Sequence, residues 1–212
     1  KRHVNKINVN LPVIIYNGVK VYDCNNDEVI WERHLEENKK RIVQDIKKNN
    51  PNLGIEIYSE EVVYIFQSCK QTERFKNLGY DVVYDDIWNK KWTKVLIIGS
   101  KEELDNFEKS YHKEYEDALI RSSDIYLEMI PEGISKGQAL KELINKNNII
   151  NHTVIAVGDN MNDLELLEEA DYGFCTLNGS EKLKKLSKYI ACSNDDNVME
   201  FLIKWIEKEK IF

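Results

Sequence analysis

The stretch VIAVGDNMND, Val154 to Asp163, places two carboxylates four residues apart directly after an apolar, β-branched run. Asp159, Asp163, Asn160 and Asn162 together offer hard oxygen donors and amides, the ligand chemistry that suits Mg²⁺. The same residues have a second reading. An aspartate at a helix start is a common N-cap, and Asn and Asp are frequent in any strand-to-helix loop. Composition at these positions leaves both open. A calcium-binding EF-hand loop is excluded, because counting from Asp159 the sixth position is Leu164 instead of Gly and the twelfth is Ala170 instead of Glu.

GISKGQALKEL carries the second candidate. Ser135 and Gln138 fit the S-x-x-Q capping box, which puts Lys136 in the first turn of a helix. A cation there opposes the helix dipole at a cost of a few tenths to ~1 kcal/mol. Lys136 is then either a solvent-screened lysine or one that faces an anion or carboxylates at the helix N-terminus.

The elements that must hold these residues can be read from periodicity. From Pro131 onward, helical and strand patterns alternate: SKGQALKELINKNN, HTVIAVGD, DLELLEEA, DYGFCTL, SEKLKKLSK, YIACS and NVMEFLIKWIEK. Apolar strands alternating with helices predict a parallel sheet covered on both faces. Ligands in such sheets bind beyond the carboxyl ends of the strands, where Asp159 falls. The apolar run Leu11 to Tyr16 is assigned to the same sheet, and Asn17-Gly18 turns it into a second strand. Between them, Asp23 to Ile130 reads as strand-rich. An amphipathic helix covers Glu36 to Asn50, another follows Ser100, and TERFKNLG gives a short helix or turn, a pattern for an antiparallel sheet with helices on one face. The aromatic residues of EVIWERHL and DDIWNKKW are expected to pack against those helices.

Bulk properties remove several function classes. The 212 residues carry 37 acidic and 30 basic side chains, a net charge of −7, so a nucleic-acid partner is not expected. No apolar run reaches the ~18 residues of a membrane span. Cys24, Cys69, Cys175 and Cys192 form no C-x-x-C, and are expected to be reduced thiols of a cytoplasmic protein. The four histidines form no zinc-binding pair.

YLEMIPEGISKGQALKELI, VIAVGDNMNDLELLEEADYGFCTLNG and YIACSNDDNVMEFL together resemble the C-terminal half of the haloacid dehalogenase-like phosphatases, in the Cof-like branch with a type-B cap. PVIIYNG resembles the strand that leads into that cap. The resemblance implies an α/β fold: a Rossmann-like parallel-sheet core, residues 1–22 and 131–212, with a large inserted α+β cap at 23–130. It implies Mg²⁺-dependent hydrolysis of small phosphate monoesters, sugar phosphates or similar, through an aspartyl-phosphate. Asp159 would be a metal ligand, and Asp163 would act through water or by holding that shell. Lys136 would be the catalytic lysine that pairs with the nucleophile and phosphoryl group. Asn162, with Asn17 and Gly18, would lie on the substrate-binding side. A small phosphorylated metabolite is the implied partner.

The sequence also departs from that pattern. Gly173 to Gly179 keeps only Gly173 and Asn178 of the usual G-V-A-M-G-N-A, and Asn194 to Val198 replaces N-D-x-G-V. No D-x-D motif, the family's nucleophile and acid/base, precedes Leu11, and Asp85-Asp86 lies inside the expected cap. The chain opens on Lys1-Arg2-His3 without methionine. The expectation is a polypeptide lacking a natural N-terminal segment, with little hydrolytic activity on its own. The alternative is a non-catalytic phosphate-ligand binding or regulatory protein of the same fold.

Overall fold

A computed structural model describes residues 9–60, 62–73, 82–83, 87–115, 119–147 and 149–211. The chain divides into two compact units, Lys1–Ile134 and Ser135–Phe212. The fold is mixed α/β, with one parallel sheet and two built largely or wholly from antiparallel pairs.

The first unit opens with three strands, β1 (Val13–Ile15), β2 (Lys20–Asp23) and β3 (Glu28–Glu32), in a small antiparallel sheet of order β1-β2-β3. Among the described residues, the strand expected within Leu11–Tyr16, β1, therefore belongs to this antiparallel sheet, paired with β2, instead of the parallel one. The reason is local. Tyr16 and Asn17 take left-handed backbone angles and Gly18 has φ 102°, so the chain reverses at once and Ile15 faces Lys20. Only glycine adopts that last angle at no steric cost. An apolar strand looks the same in either kind of sheet, and the turn chemistry selects the hairpin.

Helix α1 (Asn38–Asn49) follows, then β4 (Gly54–Ser59), β5 (Val62–Gln67), β6 (Val82–Val83), β7 (Lys94–Ile98), α2 (Lys101–Glu114), β8 (Ile120–Ser123) and β9 (Tyr126–Met129). These strands form one sheet of order β6-β5-β4-β7-β9-β8, antiparallel except for β5–β6. Register places Ile55, Ile57, Val95, Ile97, Leu127 and Met129 on one face. There they form a buried core with Val43 and Ile46 of α1 and Leu104, Phe107 and Tyr111 of α2. Trp92 is buried in the same core and donates its Nε1–H to Ile87 O at 2.9 Å. Trp88 packs edge-on against Phe66, so these aromatics are structural. The opposite face carries Glu56, Lys94 and Glu128, with Lys94 and Glu128 ion-paired at 2.7 Å. Within TERFKNLG, Thr72 and Glu73 end a 3-10 turn; Arg74 to Gly79 and the Asp85-Asp86 pair lie outside the described residues.

The second unit alternates as its sequence pattern predicts: α3 (Lys136–Lys146), β10 (Ile155–Gly158), α4 (Leu164–Glu169), β11 (Tyr172–Cys175), α5 (Glu181–Leu186), β12 (Tyr189–Ile190) and α6 (Val198–Glu209). The three strands are parallel in the order β10-β11-β12. Ala156 and Cys175 pack on one face with Leu164 and Leu167 of α4 and Leu183 of α5. Phe174, Ile155 and Val157 pack on the other with Leu202 and Trp205 of α6. Neighbouring strand residues point to opposite faces, so runs apolar at every position are what a sheet covered on both sides requires.

Candidate active site

The carboxyl ends of β10 and β11 and the N-terminus of α3 bring the expected residues of the second unit together. Gly158 ends β10 and Asp159 leaves it. Two main-chain bonds fix the loop, Thr176 N to Gly158 O at 3.0 Å and Ser180 N to Asp159 O at 2.8 Å, and Leu177 N to Cys192 O at 3.1 Å ties the loops after β11 and β12. Asn160 caps a single 3-10 turn, Met161–Asp163, that runs straight into α4.

Asp163 is buried, and both of its oxygens are committed. Oδ2 accepts from Asp159 N at 2.9 Å and from Asn160 N at 3.2 Å, while Oδ1 meets Lys136 Nζ at 2.5 Å. At the start of α4 Asp163 makes no side-chain cap bond; its carboxylate instead serves as the N3 acid of the capping box that Asn160 opens, and pairs with Lys136. Gly158 makes this possible, since a Cβ there would stand 2.3 Å from Asp163 Cβ. The Asp163 side chain is 7% exposed and that of Lys136 28%, so the pair sits at the margin of the solvent. An ammonium has three donors. One goes to Asp163, and among the described residues the other two have no protein partner.

Asp159 differs from Asp163 in every respect. It is exposed, and among the described residues its carboxylate makes no hydrogen bond or ion pair, although its main chain is held at both ends. Mg²⁺ is usually bound by one or two carboxylates plus waters and phosphate oxygens. An exposed, uncommitted carboxylate on a main chain held at both ends fits that role, with Asp163 bonded to the N–H groups of Asp159 and Asn160. Among the described residues no group of three or more His, Cys, Asp or Glu is placed to hold a metal.

Asn162 lies in the same turn, half-buried. Asn17 and Gly18 lie in the first unit, in the β1–β2 turn. The capping box read from Ser135 and Gln138 is half present. Ser135 Oγ accepts from Gln138 N at 3.0 Å, but its own proton goes to Glu165 Oε2, and no Gln138 side-chain bond returns to Ser135 N among the described residues. Sequence reading missed two features. Asn178 ties the loop after β11 to the loop after β12, with Nδ2 to Asn194 Oδ1 at 2.6 Å and Oδ1 accepting from Asn194 N at 3.0 Å. Its match to one position of the altered loop motif was the available signal. The Ser135–Glu165 bond spans 30 residues and had no signal at all. Burial pushes the nearby Cys175 thiol above its ordinary pKa.

A family model described as haloacid dehalogenase-like hydrolase matches residues 1–202. The chain belongs to this family. A phosphatase-named protein of Streptococcus pyogenes serotype M6 is 33% identical over 125 residues, 58% of this chain and 46% of the relative. The chain thus spans about half the length of that relative. The 5-amino-6-(5-phospho-D-ribitylamino)uracil phosphatase of Bacillus subtilis is 25% identical over 92% of this chain and 72% of its own. Among solved structures, a HAD/Cof-like hydrolase from Plasmodium vivax superposes with a TM-score of 0.82, covering 98% of this chain and 77% of that one at 18% identity. The fold is accordingly that of the Cof-like branch of the haloacid dehalogenase-like hydrolases.

Proposed function

We propose that this haloacid dehalogenase-like chain supplies the metal and ammonium side of a phosphate monoester hydrolase site. One observation carries the reading: an exposed, uncommitted Asp159 carboxylate leaves β10 on a main chain that Asp163 holds, and Asp163 is in turn paired with Lys136. On this reading Asp159 ligates Mg²⁺, and Asp163 holds both the loop and the lysine. Lys136 turns its remaining donors toward a phosphoryl oxygen, and Asn162 lies beside it. Bound Mg²⁺ would neutralise phosphoryl charge as a Lewis acid. Preorganised positive charge stabilises the charge that develops in phosphoryl transfer. Residues 23–130 are the proposed cap, and 1–22 with 131–212 the core, with Asn17 and Gly18 where the two meet in sequence. The Bacillus relative's named substrate is a phosphorylated ribityl compound, which supports a small sugar phosphate or similar metabolite as the substrate class.

The aspartyl nucleophile of the resembled pattern has no match ahead of Leu11 in these 212 residues. The expected result of a phosphatase assay with Mg²⁺ on this chain is therefore little turnover, together with Mn²⁺ or Mg²⁺ binding that Asp159→Asn abolishes. Metal binding unaffected by Asp159→Asn would remove the metal role. Robust turnover abolished by Asp159→Asn would show that another residue acts as the nucleophile.

A further inference from the structure

Glu165 lies outside the constellation just described, yet it is joined to both neighbours of Lys136. Its Oε2 accepts the Ser135 hydroxyl proton. Its main chain lies against Gly137, where an added Cβ would stand 2.5 Å from the Glu165 carbonyl oxygen and 2.9 Å from Glu165 Cβ. Residues 135 and 137 are thus both seated on one residue of α4. Lys136, between them, pairs with Asp163, two positions before Glu165.

The arrangement solves a physical problem. A lysine at the first position of a helix is opposed by the helix dipole. Its long stem carries ~2 kcal/mol of rotamer entropy. Nothing in the helical preference of α3 would aim it at Asp163. The base of the stem must be fixed instead. Ser135 accepts from Gln138 N as the N-cap, a role that leaves its proton free. Glu165 takes that proton, and as an acid in the first turn of α4 it is itself favoured there by the α4 dipole.

We propose that Glu165, acting through Ser135, is a positioning residue for Lys136. It locks the first turn of α3 against α4, so that the ammonium meets Asp163 with its other donors directed outward. That those donors serve a phosphoryl group rests on the phosphatase reading above; the positioning itself does not.

The test is site-resolved acylation of lysines on this chain, followed by peptide mass spectrometry. Glu165→Ala leaves the Ser135 cap in place and favours the helix. It should raise the Lys136 acylation rate about threefold, the Boltzmann factor for loosening a partly exposed ion pair. Lys182 and Lys185 on α5 should keep their rates, which shows that the unit remains folded. Glu165→Gln keeps an acceptor oxygen and should restore the wild-type rate. Ser135→Gly keeps a tolerated N-cap without the hydroxyl and should repeat the alanine result. The proposal is overturned by an unchanged Lys136 rate in Glu165→Ala and Ser135→Gly, by equal effects of Ala and Gln at 165, or by a uniform rise at all lysines. A wild-type arm with inorganic phosphate and Mg²⁺ separates the two ideas. Absence of Lys136 protection alongside the Glu165→Ala effect removes the phosphate site and leaves the positioning role. Protection without that effect does the reverse.

Discussion

Asp163 is the residue on which the local geometry closes. One carboxylate caps the turn through two main-chain N–H groups and receives the Lys136 ammonium, and it is buried while doing so. Charge-assisted bonds of this kind are the strong ones. They also leave Asp163 no spare oxygen, which separates its role from that of Asp159. The seat for Asp163 is the bare Cα of Gly158. In Gly158→Ala the new methyl would meet Asp163 Cβ at 2.3 Å and Cγ at 2.7 Å. Asp163 must then move, and overpacking of this sort costs ~1–3 kcal/mol. The expected outcome is a lower urea midpoint together with faster acylation of Lys136. Wild-type values for both would show that the loop accommodates the methyl and that Gly158 is not the constraint described.

Among the elements, α3 and α4 act as a pair, with β10 and its exit loop between them in the chain. Close approach of the two helices depends on Gly137, as that of α4 to β11 depends on Gly173, where a Cβ would stand 2.3 Å from Leu167 O. Helix α2 in the first unit shows the complete capping box that α3 lacks. Ser100 Oγ accepts from Glu103 N, and the Glu103 carboxylate accepts from Ser100 N at 2.8 Å and from its hydroxyl at 2.7 Å. The main-chain bond first, then the hydroxyl, hold the Glu103 carboxyl below its ordinary pKa. A carboxylate with a depressed folded pKa stabilises fully above the ordinary glutamate range, and that contribution fades as pH falls through the lower, folded value. Urea unfolding of the first unit across the acid range should show this loss, and Glu103→Gln should flatten it. An identical acid slope in Glu103→Gln would exclude the capping box as its source. The same cap should cost ~1 kcal/mol when removed by Ser100→Ala.

The molecule as a whole is two units in one chain, each with its own core. Cys175 reports on the second. It ends β11, wholly buried against Ala156 of β10, Leu167 of α4 and Leu183 of α5, and burial pushes its thiol pKa up, so the reactive thiolate is scarce. Cys24, Cys69 and Cys192 are half-buried and free. With a thiol reagent at neutral pH, those three should label promptly in the folded protein. Cys175 should lag by a factor of about a thousand or more, since its labelling requires opening of a unit stable by several kcal/mol. Prompt Cys175 labelling without loss of helical circular dichroism would mean that the second unit opens locally near the site. None of the helices, among the described residues, is long and apolar enough to cross a membrane.

Local chemistry is legible in the sequence. Helix spans, the α/β alternation after Pro131, and the candidates Lys136, Asp159 and Asp163 all follow from periodicity, caps and residue type, because each depends on near neighbours in the chain. Three facts needed the folded molecule. Leu11–Tyr16 is apolar in either sheet, and only its pairing with β2 shows which it joined. Asp163 at a helix start looked like a helix N-cap or a site residue, and the fold turned its carboxylate away from α4, back to the N–H groups of Asp159 and Asn160 and to Lys136. Glu165 reads as an ordinary acid in the first turn of a helix, and its hydrogen bond to Ser135 accompanies the close approach of α3 to α4 that the bare Cα of Gly137 permits. Sequence specifies what a residue can do with its neighbours along the chain. Contacts between residues far apart in the chain depend on how all the cores fill at once, and no short stretch contains that information.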